Sequence, residues 1–264
     1  MEILHGLHAV EEALRSGTRR FDHVCLAAER FRGGHDPRLA AIASLCRESG
    51  VKVRTEPREA LTRIAQTSAH QGVVAVVRER DLLDLEDLLT GEEPRLVLAL
   101  DGVEDPQNLG ALLRTAEGAG VDGVLLTERR SAPLSAVAVK ASAGATEHLR
   151  IARVVNLVRA LETLKEHNLW IVGLDERGSQ DYDRHDFTSN TVIVLGREGA
   201  GLHDLVRRTC DHLLRIPMAG RVDSLNVSAA GAVVLFEAAR QRRAAASAES
   251  RPEKSQKKTK GLGS

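Results

Sequence analysis

Aromatic residues make up only 2% of this 264-residue chain: one tryptophan, one tyrosine and four phenylalanines. So sparse a set excludes the aromatic platform on which single-stranded nucleic acids stack. Cysteine is almost as scarce. Cys25, Cys46 and Cys210 stand far apart, which excludes a disulfide framework and a CxxC pair and points to a reducing, cytoplasmic setting in which the thiols simply pack. No apolar run reaches the ~18 residues a membrane helix needs. The opening MEILHGLHAV has neither the basic start nor the apolar stretch of a secretion signal. Net charge is also missing: 37 basic residues balance 37 acidic ones, which excludes a nonspecific coat held to nucleic acid by a strong positive field. Any such contact rests on local patches and on residues 244–264, where five basic residues face two acidic ones. The common catalytic signatures are absent as well, with no G-x-S-x-G elbow, P-loop or H-E-x-x-H. The ten histidines are scattered, and His5 and His8 have no further ligand nearby, so no metal is expected.

What is present is regular alternation of helix and strand. Residues 1–77 read as a small layered α/β unit. HAVEEALRSG is a helix stopping at Gly17, FDHVCLA a strand, and PRLAAIASLCRES a helix opened by Pro37. VKVRT, PREALTRIAQ and GVVAVVRE follow as strand, helix and strand. Residues 78–94, acidic and ending in Gly91 and Pro94, read as a linker with one amphipathic turn. From 95 to 243 a second unit shows strands at 96–100, 123–126, 148–152, 169–173, 191–195 and 212–216. Helices are expected at 108–118, 135–142, 155–167, 202–208 and 226–242. Continuous apolar strands such as VIVL predict a mainly parallel sheet covered on both faces. Residues 244–264 have no periodicity and are expected to be disordered.

Four stretches hold candidate chemistry. Gly118-Ala-Gly120-Val-Asp-Gly123 fits G-x-G-x-x-G, but it closes a helix and enters a strand, the reverse of a dinucleotide fingerprint, so it reads as a helix end. TVIVLGREGAGL has the productive order of strand, glycine-rich turn and helix. Ligands of open parallel sheets sit beyond such strand ends, and Gly196, Gly199 and Gly201 would let one approach the backbone, with Glu198 exposed between them. In LRIPMAGRVDSLNVSAAGAVVLFEAARQR, Ser224 and Asn226 straddle a helix start; a cap needs only one of them. The helix that follows carries a face of small residues, Ala229 to Ala232, suited to close contact with backbone or a partner subunit. In LDGVEDPQNLGALLRTAEGAGV, Asn108 is either a helix cap or a polar group aimed into a cleft. Arg114, among Gly110, Ala111 and Gly118, is either a surface charge or a reach toward phosphate.

Taken together, LDGVEDPQNLGALLRTAEGAGV, VIVLGREGAGL and IPMAGRVDSLNVSAAGAVVLFEA resemble, in order and spacing, the three motifs of the SpoU branch of the SPOUT RNA methyltransferases. HGLHAVEEAL and HQGVVAVV resemble the ends of the RNA-recruiting domain found there. VKASAGATEHLRIARVVNL is similar to the members that 2′-O-methylate a guanosine in the peptidyl-transferase region of 23S ribosomal RNA. The resemblance implies an α/β, trefoil-knotted methyltransferase domain with a parallel sheet, an exception to the rule against knots, preceded by a small ribosomal-protein L30e-like domain. It implies S-adenosylmethionine as cofactor, held mainly by main chain around Leu195, Gly196, Ile216, Met218 and Leu225. Glu198, Ser224 and Asn226 would organise the site, with Asn108 and Arg114 facing the RNA. It also implies a cytoplasmic homodimer with no membrane and no metal, acting on 23S RNA or its assembling particle. A transfer RNA or another ribosomal site, or a role in ribosome assembly, stays open beside that. Specificity would come mainly from residues 1–77, where Arg15, Arg19, Arg20, Arg30 and Arg32 are either phosphate contacts or members of a solvated face. Arg114 is the family's favoured activator of the hydroxyl. A guanidinium is ordinarily only a donor, so it either sheds a proton in a special field or binds phosphate while the proton leaves elsewhere.

Overall fold

Two sheets organise the chain, whose computed structural model describes residues 1–31, 36–93 and 95–249. Arg32, Pro94 and the stretch from Ser250 lie outside the described residues. The first sheet is built from β1 (Glu2–His5), α1 (Leu7–Ser16), β2 (Phe21–Ala27), α2 (Ala28–Phe31), α3 (Pro37–Glu48), β3 (Val53–Glu56), α4 (Arg58–Ala65) and β4 (Val73–Val77). Its order is β1-β4-β2-β3, with β4 antiparallel to both neighbours and β2 parallel to β3. Local chemistry sets the boundaries. Asp36 caps α3 by accepting from the amides of Arg38 and Leu39, with Pro37 in the first turn, and α1 stops at Gly17 in the left-handed region. Strand β1 was not among the predicted elements. Only four residues long, it is defined by pairing with distant β4, from Glu2 opposite Val77 to His5 opposite Val74.

The second sheet comprises β5 (Leu96–Leu100), α5 (Pro106–Gly118), β6 (Gly123–Thr127), α6 (Ala136–Ala141), β7 (Ile151–Val154), α7 (Leu157–Glu166), β8 (Trp170–Leu174), β9 (Gln180–Asp181), β10 (Thr191–Leu195), α8 (Asp204–Thr209), β11 (His212–Arg215) and α9 (Val227–Glu249). Its order is β7-β6-β5-β10-β8-β11-β9, and every neighbouring pair is parallel. All residues of β5 and β10 are buried, as an apolar strand covered on both faces requires. The order reverses beside β5: β6 and β7 lie on one side, β10 and β8 on the other. Loops leaving β5, β8, β10 and β11 therefore gather at one end of the sheet, where open sheets bind ligands.

Three expectations need correction. Strand β7 starts three residues later than predicted, because Ala145–Glu147 forms a tight turn and Glu147 is drawn into a buried ion pair. The two-residue β9 was not foreseen; it exists through its pairing with β11. Helix α9 runs on to Glu249, so residues 244–249 are helical. Alanine is the strongest helix former, and AAASAE carries the helix without an apolar stripe. The turn expected in the linker is present at Glu86–Leu89, where Leu88 is buried against Gly123, and Leu83 pairs with Ala152. Rejection of the G-x-G-x-x-G stretch as a dinucleotide site agrees with its place at the end of α5.

The thiols pack as expected. Cys25 and Cys46 are buried and Cys210 half-buried, all unbridged. Burial pushes Cys46 up to about 11 and Cys210 up to about 12. Since the thiolate is the reactive form, iodoacetamide at pH 8 is expected to label the native protein far more slowly than the urea-unfolded chain, which mass spectrometry reads directly.

Candidate active site

Helix α5 begins with Asp105, whose carboxylate accepts from the amide of Gln107 ahead of Pro106. The cap is thus Asp105, which leaves Asn108 free for another task. Asn108 sits in the first turn of α5 and is only 7% exposed. At the other helix, Asn226 is the cap: its Oδ1 accepts from the amide and hydroxyl of Ser228 at 2.9 and 2.6 Å. Ser224 is exposed.

The amide of Asn226 is still available, and it links three segments. Its Nδ2 donates to Oδ1 of Asn108 at 3.0 Å and to Oε1 of Glu198 at 3.0 Å. Asn108 Nδ2 donates to Oε2 of Glu198 at 3.0 Å. The three side chains close a ring of hydrogen bonds. An ionised carboxylate can only accept, so Glu198 fixes which way both amides face.

Glu198 is held out by a tight turn. Arg197 and Gly201 exchange two backbone hydrogen bonds of 3.0 Å, pinching off the residues between them. A Cβ on Gly196 would stand 2.3 Å from the carbonyl carbon of Gly201. Glycine is needed there because the chain itself approaches, where a ligand was the expected neighbour. Leu195 O accepts from the amide of Asp101, tying the turn to the end of β5. Asp101 also receives the amide and Nδ1 of His203 at 2.7 and 2.8 Å.

Around this turn lies a cavity of about 400 Å³. Leu195, Gly196, Ile216, Met218 and Leu225 all line it, as do Glu198 and Ser224. Arg114 does not. It is exposed on α5, with no hydrogen bond or ion pair among the described residues, and its expected bed of small residues is used elsewhere: a Cβ on Gly110 would meet α6 at 2.4 Å. On the small-residue stretch of α9, Gly231 packs inside the chain against Leu112 and Leu195, while Ala229 is exposed and Ala230 and Ala232 half-buried.

Of the candidate arginines of the first unit, buried Arg19 is neither a phosphate contact nor part of a solvated face, while exposed Arg30 fits the solvated face. Arg19 is buried and ion-paired with Glu2 at 2.8 Å and Glu147 at 3.0 Å, and Arg30 is bonded to Asp36 and to Gln71 O. Arg15 is exposed and pairs with Glu11, while Arg20 is exposed. The sequence reading passed over Asp101, Arg197 and His203; the placement of all three beyond β5 and β10 was the available signal.

Residues 95–236 match the SpoU rRNA methylase family, and residues 3–82 match the RNA 2′-O ribose methyltransferase substrate-binding family. The chain belongs to the SpoU methylase family. It is 42% identical over 246 residues to the 23S rRNA (guanosine-2′-O-)-methyltransferase of Vibrio cholerae, covering 92% of this chain and 98% of that protein. Among solved structures, the AdoMet-bound rRNA methyltransferase from Sinorhizobium meliloti is 31% identical, with a TM-score of 0.76 over 90% of this chain and 87% of that one. The SpoU methyltransferase AviRb from Streptomyces viridochromogenes, in complex with AdoMet, gives 0.77 at 26% identity over 92% and 90%.

The cavity suits the cofactor of this methylase family. S-adenosylmethionine presents an apolar purine, sugar hydroxyls, a cationic sulfonium and an amino-acid tail. Leu195, Ile216, Met218 and Leu225 supply apolar wall, while Asp175, Glu176 and Asp223 supply carboxylates for the hydroxyls and the cationic groups. The backbone of residues 196–201 contributes polar groups without bulk.

Proposed function

We propose that this protein transfers a methyl group from S-adenosylmethionine to the ribose 2′-hydroxyl of a guanosine in 23S ribosomal RNA. The observation that carries the reading is the closed Asn108–Glu198–Asn226 ring beside a cavity with the chemistry of the donor. Likeness to the Vibrio cholerae 23S rRNA enzyme along 92% of the chain supports the substrate.

When bound, S-adenosylmethionine supplies a methyl group already activated by its sulfonium. What the chain must add is alignment, since a fixed near-attack geometry removes most of the entropic barrier. It must also leave a route to solvent for the hydroxyl proton, released as the oxygen–methyl bond forms and the sulfur–methyl bond breaks. Glu198 holds both asparagine amides in one orientation, and Asn226 anchors that arrangement to the start of α9. Ser224 places a hydroxyl on the cavity wall, within the loop that precedes Asn226. The Arg114 side chain, exposed and unpaired among the described residues, is free to grip an RNA phosphate. That supports the phosphate-binding version of its role over the deprotonated one.

The same reading includes a cytoplasmic setting, the knotted backbone of the family and a homodimer with the cavity near the subunit interface. An apolar patch supports the dimer: Phe236 on α9 is 48% exposed and borders Gly118 of α5, on the helix that carries Arg114. Light scattering is expected to give twice the chain mass of 28.6 kDa.

The direct test maps 2′-O-methyl groups on total RNA from cells with and without this protein. One 23S guanosine is expected to lose its mark and regain it on incubation with protein and donor. A mark lost only from transfer RNA would overturn the substrate assignment, and no change at any position would overturn the activity.

A further inference from the structure

Three arginines line the cavity. Arg207 is bonded to Asp204 at 2.8 Å, and Arg177 lies 3.9 Å from Glu176. Arg197, on the turn that presents Glu198, has no carboxylate partner among the described residues. Its stem lies flat on Gly102: a Cβ there would stand 2.8 Å from Cγ and 3.1 Å from Cδ of Arg197, and 3.2 Å from Cε1 of His203. In this position its Nε is buried without an acceptor. A buried donor left unpaired is unfavourable by about 1–3 kcal/mol and calls for an explanation.

We propose that Arg197 is the receptor for the α-carboxylate of the methyl donor's amino-acid tail. The inference rests on the cofactor assignment above and deepens it. A donor carrying one carboxylate needs one cation in a cavity rich in acids, and Arg197 is the lining guanidinium not already neutralised. A planar carboxylate matches the guanidinium fork bidentately. Swinging off Gly102 toward that oxyanion would also release Nε from its orphaned place. Because Arg197 directly precedes Glu198, an occupied carboxylate subsite would brace the turn that holds the asparagine ring.

Calorimetric titration of the full chain with two probes tests this. S-adenosylhomocysteine carries the carboxylate; 5′-methylthioadenosine shares the nucleoside and lacks the amino acid. Wild type is expected to bind both, and failure to bind S-adenosylhomocysteine would overturn the cofactor assignment itself. In Arg197→Gln, S-adenosylhomocysteine is expected to weaken by roughly 10- to 100-fold, the range for one lost charge-assisted contact, while methylthioadenosine binds unchanged. Arg197→Lys is expected to fall between, since it keeps the charge and loses the fork. Equal weakening of both probes would show that Arg197 only shapes the turn. Unchanged affinity for both would also overturn the proposal; if RNA affinity then fell with a shallower salt dependence, the oxyanion would be a phosphodiester.

Discussion

Replacing Glu198 by glutamine is expected to lower the single-turnover methylation rate by at least about 100-fold while leaving S-adenosylhomocysteine affinity within about twofold. The substitution keeps the size of the side chain and changes one acceptor into a donor. Both Glu198 oxygens accept from amide nitrogens, Asn108 on one side and Asn226 on the other. In Glu198→Gln one oxygen can still accept, but the new NH₂ must face one of those donors. With donor and RNA covering the site, the loss is one charge-assisted hydrogen bond, about 1.5–3 kcal/mol, plus an orphaned amide donor at about 1–3 kcal/mol. In the free protein, water reaches the ring at exposed Glu198 and offsets both. At roughly 1.4 kcal/mol per tenfold, that is a factor of about 10² to 10⁴ if the ring is needed in the transition state. Glu198 is exposed, so the melting temperature is expected to move little. Because the three side chains act as one unit, Glu198→Gln combined with Asn226→Ala is expected to be scarcely slower than the single variant. A variant that turned over at near wild-type rate would remove the ring from the mechanism.

The ring also shows what a sequence can and cannot disclose. Each member lay in a stretch whose strand-turn-helix order could be read locally, and β5 and β10 were legible because parallel strands buried on both faces are continuously apolar. The contacts themselves join residues 90 and 118 positions apart, and no periodicity reports a separation of that kind. Local reasoning left Asn108 divided between cap and cleft; the cap of Asp105 resolves it, and that residue stood three places upstream in view. Asn226 turned out to serve both purposes, because one side-chain amide offers an oxygen to the helix and a nitrogen to the ring. Arg197 escaped notice because the glycines around it carried the reading. Its significance depends on which other cations are paired, a property of the fold. Leu195, Gly196, Ile216, Met218 and Leu225 line one cavity because loops at strand ends are set by topology, whereas the position of one long side chain such as Arg114 depends on packing around it.

Arg19 is the clearest case of a residue whose neighbourhood hides its environment, and it carries the second large effect. SGTRRF reads as a charged surface turn, yet the Arg19 side chain is 4% exposed and that of Glu147 only 1%. Their ion pair of 3.0 Å, extended to Glu2 at 2.8 Å, joins the first sheet to the turn before β7. Arg80 stands beside them, bonded to the carbonyls of Thr146 and Leu149. Burial outweighs Arg19 in its influence on Glu2 and raises that carboxyl, while burial lowers Arg80. Such a cluster gains little over an apolar equivalent, but breaking it strands a buried charge, a loss of about 3–5 kcal/mol. Glu147→Ala is therefore expected to destabilise by about 3 kcal/mol, the lower end, since Glu2 still faces Arg19. For a chain of this size that is a fall of roughly 6–12 °C in melting temperature. Arg19→Met with Glu147→Leu and Glu2→Gln removes all three charges of the pairs and is expected to recover most of it. The function should divide in the same way: the cluster ties the first unit to the turn before β7, so the triple variant, folded but unlatched there, is expected to show a raised KM for RNA with donor affinity unchanged. If Glu147→Ala melted within about 2 °C of wild type, water or a shifted Glu2 would be neutralising Arg19. The two units would then be held together by their other contacts, with Val139 packed into the core of the first unit, His148 against Glu12 and Lys140 on the carbonyl of Ala69.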